Sequence, residues 1–337
     1  MARRKISFEG LASLPFEEWE DEIQVPSRGG RQNPYKNIEI EKTDTVKETS
    51  SDRLLYFFSM GSGSSGNSCY IGTSSGGIII DAGVRADEIE SMIRANGIGM
   101  DHVKGILLTH DHADHVKYAY TLVRNNKHLK IFCTNRVLNG VLRRHNISKR
   151  IKDYHVPIFK EIPFKIGGLE ITAFEVPHDG TDNMGFSIEF DGRHFVLATD
   201  MGEVSPRARH YITNANYLVM ESNYDLSMLR DGKYPEYLKA RIQTSFGHMD
   251  NAHTAHFLQE IISERLSHIF LCHLSKDNNT PDIALRTVRE ALESVGKTVG
   301  KAENSIEDRK ADLQLMALPR YGATRLFVFR PLVGARS

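Results

Sequence analysis

Seven consecutive residues narrow the possibilities for this chain more than any others: Thr109-His110-Asp111-His112-Ala113-Asp114-His115. They follow a short apolar run at residues 105–108 and precede a helical pattern at 115–125. A short apolar run bounded by polar residues reads as a buried strand, so the histidines and carboxylates stand at a strand end. His110 and His112, two apart in extended backbone, can aim at one point. Asp114 and His115 can aim at a second point nearby. Neutral imidazole and carboxylate suit Zn²⁺, Mn²⁺ or Fe²⁺. The plainer alternative, a solvated His/Asp loop, fits poorly with four such groups in six residues at the end of a strand.

Further candidates also lie at strand ends. His178 follows residues 169–176 in Val-Pro-His-Asp-Gly, Asp200 follows 194–198 in Ala-Thr-Asp-Met-Gly, and His273 follows 268–272 in Leu-Cys-His-Leu-Ser. A lone histidine at a strand end is more often structural than a ligand. Three acidic or imidazole groups at successive strand ends are harder to dismiss. Asp81, in Asp-Ala-Gly, reads on its own as a turn aspartate. Glu221 follows the buried run 217–220, a costly place for an unpaired carboxylate. His248, in Phe-Gly-His-Met-Asp before a helix near 251, reads on its own as a loop or capping residue. His253 and His256 read as helix-surface residues.

Strand-like runs at 54–60, 70–71, 77–81, 162–166, 169–176, 184–190, 194–198, 217–220, 268–272 and 325–330 alternate with helical patterns. Those patterns span 85–95, 115–125, 135–145, 251–264 and 281–295. The order predicts an α/β class with mixed strands. Residues 1–52 differ: they hold the only tryptophan, Trp19, in an acidic run, then a Gly/Pro/Asn-rich and a charged Ser/Thr-rich stretch. They read as a poorly ordered or surface-docked extension, with residues 53–337 as the folded domain that carries the candidate site. Gly61-Ser62-Gly63-Ser64-Ser65-Gly66 fits a dinucleotide fingerprint, but strand-like residues follow where that fingerprint needs a helix. The basic run 143–152 reads equally as a nucleic-acid contact or as solvated helix-end charge.

Charge does not choose between these, because 43 basic residues balance 43 acidic ones; a local patch suffices for nucleic acid. Cys69, Cys133 and Cys272 are far apart, with no CxxC, which fits a reducing compartment. The basic N-terminus lacks an apolar h-region, and no apolar run approaches the roughly 18 residues of a membrane span. The expectation is a cytoplasmic protein with no membrane partner.

HxHxDH followed by an isolated histidine, an aspartate and a late histidine resembles the metallo-β-lactamase-fold hydrolases over about residues 54–335. Within them the chain is similar to the YycJ (WalJ) branch, a bacterial group related to ribonuclease Z-type phosphodiesterases. The added matches are the Ser/Gly loop ending at Asn67, Glu221-Ser222-Asn223-Tyr224-Asp225, Gly247-His248, and His273-Leu274-Ser275-Lys276-Asp277-Asn278-Asn279. The long N-terminal extension departs from that branch.

The resemblance implies a four-layer αβ/βα sandwich with the site at one edge between two sheets. It implies two divalent metal ions, Zn or Mn, one on His110, His112 and His178 and one on Asp114, His115 and His273, with Asp200 bridging. Asp81 and Asn67 would stand behind the ligands and orient them. His248, Glu221 and Asp114 form the implied catalytic group, with Glu221 holding His248 as proton donor to the leaving group. The implied reaction is attack of a metal-bridging hydroxide on a phosphodiester of nucleic acid, with DNA exonuclease action among what the resemblance implies. The alternatives are a hydrolase of the same fold acting on a thioester, lactone or small cyclic phosphodiester, and, more remotely, a non-catalytic metal-binding scaffold.

Overall fold

The apolar runs become the strands of two sheets in a computed structural model that describes residues 53–302 and 310–331. The extension read at residues 1–52 lies outside the described residues. The first sheet takes β1 (Leu55–Gly61), β2 (Ser68–Gly72), β3 (Gly77–Ile80), β4 (Val103–Leu107), β5 (Lys130–Cys133) and β6 (His155–Pro157). The second takes β7 (Phe164–Ile166), β8 (Leu169–Glu175), β9 (Met184–Phe190), β10 (Arg193–Ala198), β11 (Tyr217–Glu221), β12 (His268–Cys272), β13 (Val299–Lys301) and β14 (Leu313–Ala317). β15 (Phe327–Phe329) returns to the first sheet and pairs with β1. The orders are β15-β1-β2-β3-β4-β5-β6 and β13-β14-β12-β11-β10-β9-β8-β7. Within them β3 to β6 run parallel, as do β10, β11, β12, β14 and β13.

Successive residues of a strand face opposite sides, and the second sheet uses both. Phe195, Leu197, Tyr217, Val219, Phe270 and Cys272 join the core shared with the first sheet. Their alternates Val196, Ala198, Leu218, Met220, Ile269 and Leu271 join a second core under helices. Phe57 of β1 ties the sheets together, its ring centroid 4.8 Å from Phe195 and 5.0 Å from Phe270. Each fully buried ring contributes about 1.5–3 kcal/mol. The first sheet is covered by α1 (Ala86–Ala95), α3 (Ala119–Asn125) and α4 (Asn135–Arg144), with α2 (Ala113–Val116) at the site. The second is covered by α5 (Pro206–Thr213), α8 (Asn251–Ile261) and α9 (Pro281–Ser294); α6 (Leu226–Asp231) and α7 (Glu236–Ile242) carry a small third core. The layers run helix, sheet, sheet, helix, as the resemblance implies.

Several boundaries differ from the sequence reading. The pattern at 115–125 is two helices, α2 and α3, because the Tyr118 amide donates to Ala82 O at 2.9 Å and breaks the helical ladder. The strand expected from 162 begins at Phe164, since Ile162 is exposed. The helix pattern at 251–264 stops at Ile261, where Ile262 turns extended. The Gly61–Gly66 loop runs into strand β2, so the helix that a dinucleotide fingerprint needs is absent.

Candidate metal centre

The parallel strands of each sheet end at one edge, where α/β sheets place their ligands. Asp81 follows β3, the His110–His115 segment follows β4, Asp200 and His273 follow β10 and β12, and Glu221 ends β11. His178 lies just past β8. Asp81, Asp200 and His273 have φ of +60°, +52° and +55°. Non-glycine residues rarely occupy this left-handed region, and strain of this kind gathers at functional sites.

The structure brings all the sequence-singled histidines and carboxylates of this edge together. Four groups, His110/His112/His178, His110/His115/Asp200, Asp114/His115/His273 and Asp200/Glu221/His248/His273, each bring their ligand atoms within 4.8 Å of one another. Their partners fix which nitrogen faces inward. His178 Nδ1 donates to Gly247 O at 3.0 Å, leaving the Nε2 lone pair 3.3 Å from His112 Nδ1. His115 Nδ1 meets Asp81 Oδ2 at 2.7 Å, which turns Nε2 toward Asp200 Oδ2 at 3.3 Å and Asp114 Oδ2 at 3.6 Å. Asp81 also accepts from the Thr109 amide and hydroxyl, at 2.9 and 2.8 Å. Asn67 Nδ2 lies 3.2 Å from Asp114 Oδ2 and 3.0 Å from His115 Nε2.

These residues suit a divalent cation. His110 Nε2 is buried without a hydrogen-bond partner, a costly state that coordination would relieve. Burial, reinforced by neighbouring imidazoles, keeps His110 well below the usual histidine range and lowers His112 to about 4. Burial would do the same to His115, but Asp200, Asp81 and Asp114 outweigh it and raise it to about 9. His273 is likewise raised against burial by Asp200, Asp114 and Glu221. Asp200, despite complete burial, is held well below the carboxylate range by His273, His115 and His110. One side of the cluster therefore offers neutral imidazoles. The other holds protons that a cation would displace.

Glu221 is fully buried. Its Oε1 meets His248 Nδ1 at 2.7 Å and His273 Nδ1 at 3.0 Å, and Oε2 accepts from Met201 N at 2.8 Å. Burial opposes its charge, but His248 and His273 hold its pKa down. The His248 ring stands 5.0 Å from that of His178 and 5.1 Å from that of His273, so it borders both ends of the cluster. A proton donor there would sit beside any group the cluster binds.

Three features escape the sequence reading. Asp179, next to His178, places Oδ1 3.4 Å from His112 Nε2 and is clamped by Arg241 Nε at 2.7 Å. Asp111, inside the motif, is buried and accepts from Thr181 N and Oγ1 at 2.9 and 2.6 Å, pinning the loop after His178. Asn223 Nδ2 donates to His273 O at 2.7 Å. Of the basic run, Arg143 bonds Thr181 Oγ1 and Arg144 lies 3.3 Å from Asp111, so its first residues reach this loop. His253 and His256 stay on the helix surface.

A family model described as the Beta-lactamase superfamily domain matches residues 77–269. The chain belongs to the metallo-β-lactamase superfamily. Its curated relatives include Exodeoxyribonuclease YycJ of Bacillus anthracis, 34% identical over 254 residues that cover 74% of this chain and 93% of the relative. Exodeoxyribonuclease WalJ of Streptococcus pneumoniae serotype 2 is 31% identical over 72% of this chain and 89% of its own length. Among solved structures, the metallo-β-lactamase fold protein YhfI from Bacillus subtilis aligns with a TM-score of 0.58 over 82% of this chain and 100% of that one. At 13% identity that likeness is one of fold. The superfamily's hydrolytic chemistry and the clustered ligands agree with a metal-dependent hydrolase.

Proposed function

We propose that the chain is a metal-dependent phosphodiesterase that cleaves nucleic acid as an exodeoxyribonuclease, using two divalent cations, zinc or manganese. The carrying observation is the 2.7 Å pair of Glu221 and His248 beside overlapping ligand groups; the substrate class rests on the names of the relatives. In this reading His110, His112 and His178 hold one cation, Asp114, His115 and His273 the other, and Asp200 is shared. Such cations, when bound, would supply positive charge for a phosphodiester and lower the pKa of an attacking water. Glu221 orients His248 by its Nδ1, leaving Nε2 to carry a proton to the departing oxygen. Asp114 holds its cation and steadies His273 Nε2, 3.4 Å away. Asp81 and Asn67 set the face that His115 presents.

Residues 1–52, which contain none of these groups, are in this reading an appended segment outside the catalytic unit. The cysteines Cys69, Cys133 and Cys272 are all unpaired, and no helix of the described residues is long and apolar enough to cross a membrane; both support a cytoplasmic setting. The test is elemental analysis together with Mn²⁺- or Zn²⁺-dependent cleavage of end-labelled DNA, RNA and bis(p-nitrophenyl) phosphate. Close to two ions per chain and release of nucleotides from DNA ends are expected. A chain that takes up no metal after reconstitution, or that leaves DNA intact while hydrolysing the small diester, overturns the reading.

A further inference from the structure

Phe246 is 57% exposed, two residues before His248. Its backbone is not free to bury the ring. The Gly247 amide donates to Thr244 O at 2.8 Å, the His248 amide to Ile242 O at 2.9 Å, and Gly247 O accepts from His178 at 3.0 Å. On the other side the segment lies directly on Gly202, where an added Cβ would stand 2.3 Å from Thr244 O and 2.5 Å from Ser245. The ring forms one wall of a cavity of about 640 Å³, shared with Pro177, Glu175, Glu203, Ser205 and Arg207, within the range of small-molecule sites. Each segment that builds this wall also carries a residue of the metal centre: Pro177 adjoins His178, Glu203 follows Asp200 by three, and Phe246 precedes His248 by two.

We propose that this cavity receives the nucleobase of a nucleotide flanking the scissile phosphate, stacked on Phe246. The proposal rests on the nuclease reading and adds where the substrate is gripped. An aromatic face on a clamped backbone is what base stacking needs. Glu203 and Glu175 can accept hydrogen bonds from the exocyclic amines of adenine, cytosine or guanine, and Arg207 and His210, which line the same cavity, can meet the phosphate that adjoins the base.

The test uses the full chain with Mn²⁺ and single-stranded oligonucleotides that are identical except for one abasic nucleotide, placed on either side of the cleaved bond in turn. The wild type should prefer the intact base at one of these positions by about 10- to 100-fold in kcat/KM. Phe246→Ala should bring that ratio close to one, and Phe246→Trp should retain it. Equal cleavage of intact and abasic strands by the wild type, or an undiminished preference in Phe246→Ala, overturns the inference and leaves the nuclease reading standing. Cleavage of bis(p-nitrophenyl) phosphate with no cleavage of any oligonucleotide removes the nuclease reading, and this inference with it.

Discussion

Replacing Glu221 by glutamine keeps the shape of a buried side chain and removes one charge and one acceptor. The carboxylate faces donors only: His248 and His273 Nδ1 on Oε1, and the Met201 and Met249 amides at 2.8 and 3.4 Å on Oε2. Glutamine has a single oxygen, and backbone amides cannot turn into acceptors. Its NH₂ must therefore face the two imidazoles, which then have to accept at Nδ1 and carry their proton at Nε2. For His273 that proton occupies the nitrogen lying 3.4 Å from Asp114, the one assigned to a cation. One isosteric change thus disturbs both the proposed proton donor and a proposed ligand. Losing the partner that orients a ligand histidine weakens metal binding about 10- to 100-fold. Losing a positioned acid lowers turnover about 10²- to 10⁴-fold. A mismatched buried donor adds about 1–3 kcal/mol of destabilisation. Competition with a chromogenic chelator measures the first effect, turnover of single-stranded DNA at saturating metal the second, and urea unfolding the third. A Glu221→Gln protein that holds metal as tightly as the wild type would refute this bridging role of Glu221.

Three further outcomes follow from the structure. His248→Ala should keep its metals and lose about 10²- to 10⁴-fold in rate on DNA, with a much smaller loss on an activated aryl diester whose leaving group scarcely needs a proton; loss of metal, or equal slowing on both substrates, contradicts the proton-donor role. A chain truncated to begin at Ser51 should retain its rate on DNA, and a folded but inactive truncation would bring residues 1–52 into the substrate path. His268, at the start of β12, is lowered to about 4 by burial and by Arg325, from an ordinary 6.5. Its stabilisation is full above pH 6.5 and falls away as pH drops toward 4. His268 is half-buried, so the wild type should lose up to about 2 kcal/mol by pH 5 that a His268→Phe variant does not lose; parallel urea-unfolding curves for the two proteins would show that the fold does not hold the ring neutral.

The proposed ligands are legible in the sequence because each sits directly after an apolar run, so a local pattern gives both residue type and position. Asp81 is readable for the same reason, although its grip on His115 is not. What Glu221 does is only half legible. Its cost as a buried carboxylate implies a partner, but two partners at 27 and 52 residues' distance depend on how β11 registers with β12 and on where the loop between α7 and α8 lies. β5 and β13 pass unnoticed because they are short and begin or end in lysine, which hides the period. α5 leaves a signal that can be read: Ser205 accepts from the Ala208 amide as a cap, with Pro206 in the first turn, the pairing expected at a helix start. Phe246 carries no such signal, since a phenylalanine in a short loop looks the same whether buried or exposed.

The pairing of β1 with β15, Leu55 opposite Phe329, bears on how the chain comes off the ribosome. The first sheet cannot close its outer edge until residue 329 has been made, and contacts this distant in sequence form slowly. A nascent chain that has exposed the His110–His115 segment still lacks Asp200, Glu221, His248 and His273, together with the strands that hold them. Hydrolytic power is in this sense a late product of synthesis, present in finished molecules and absent from interrupted ones.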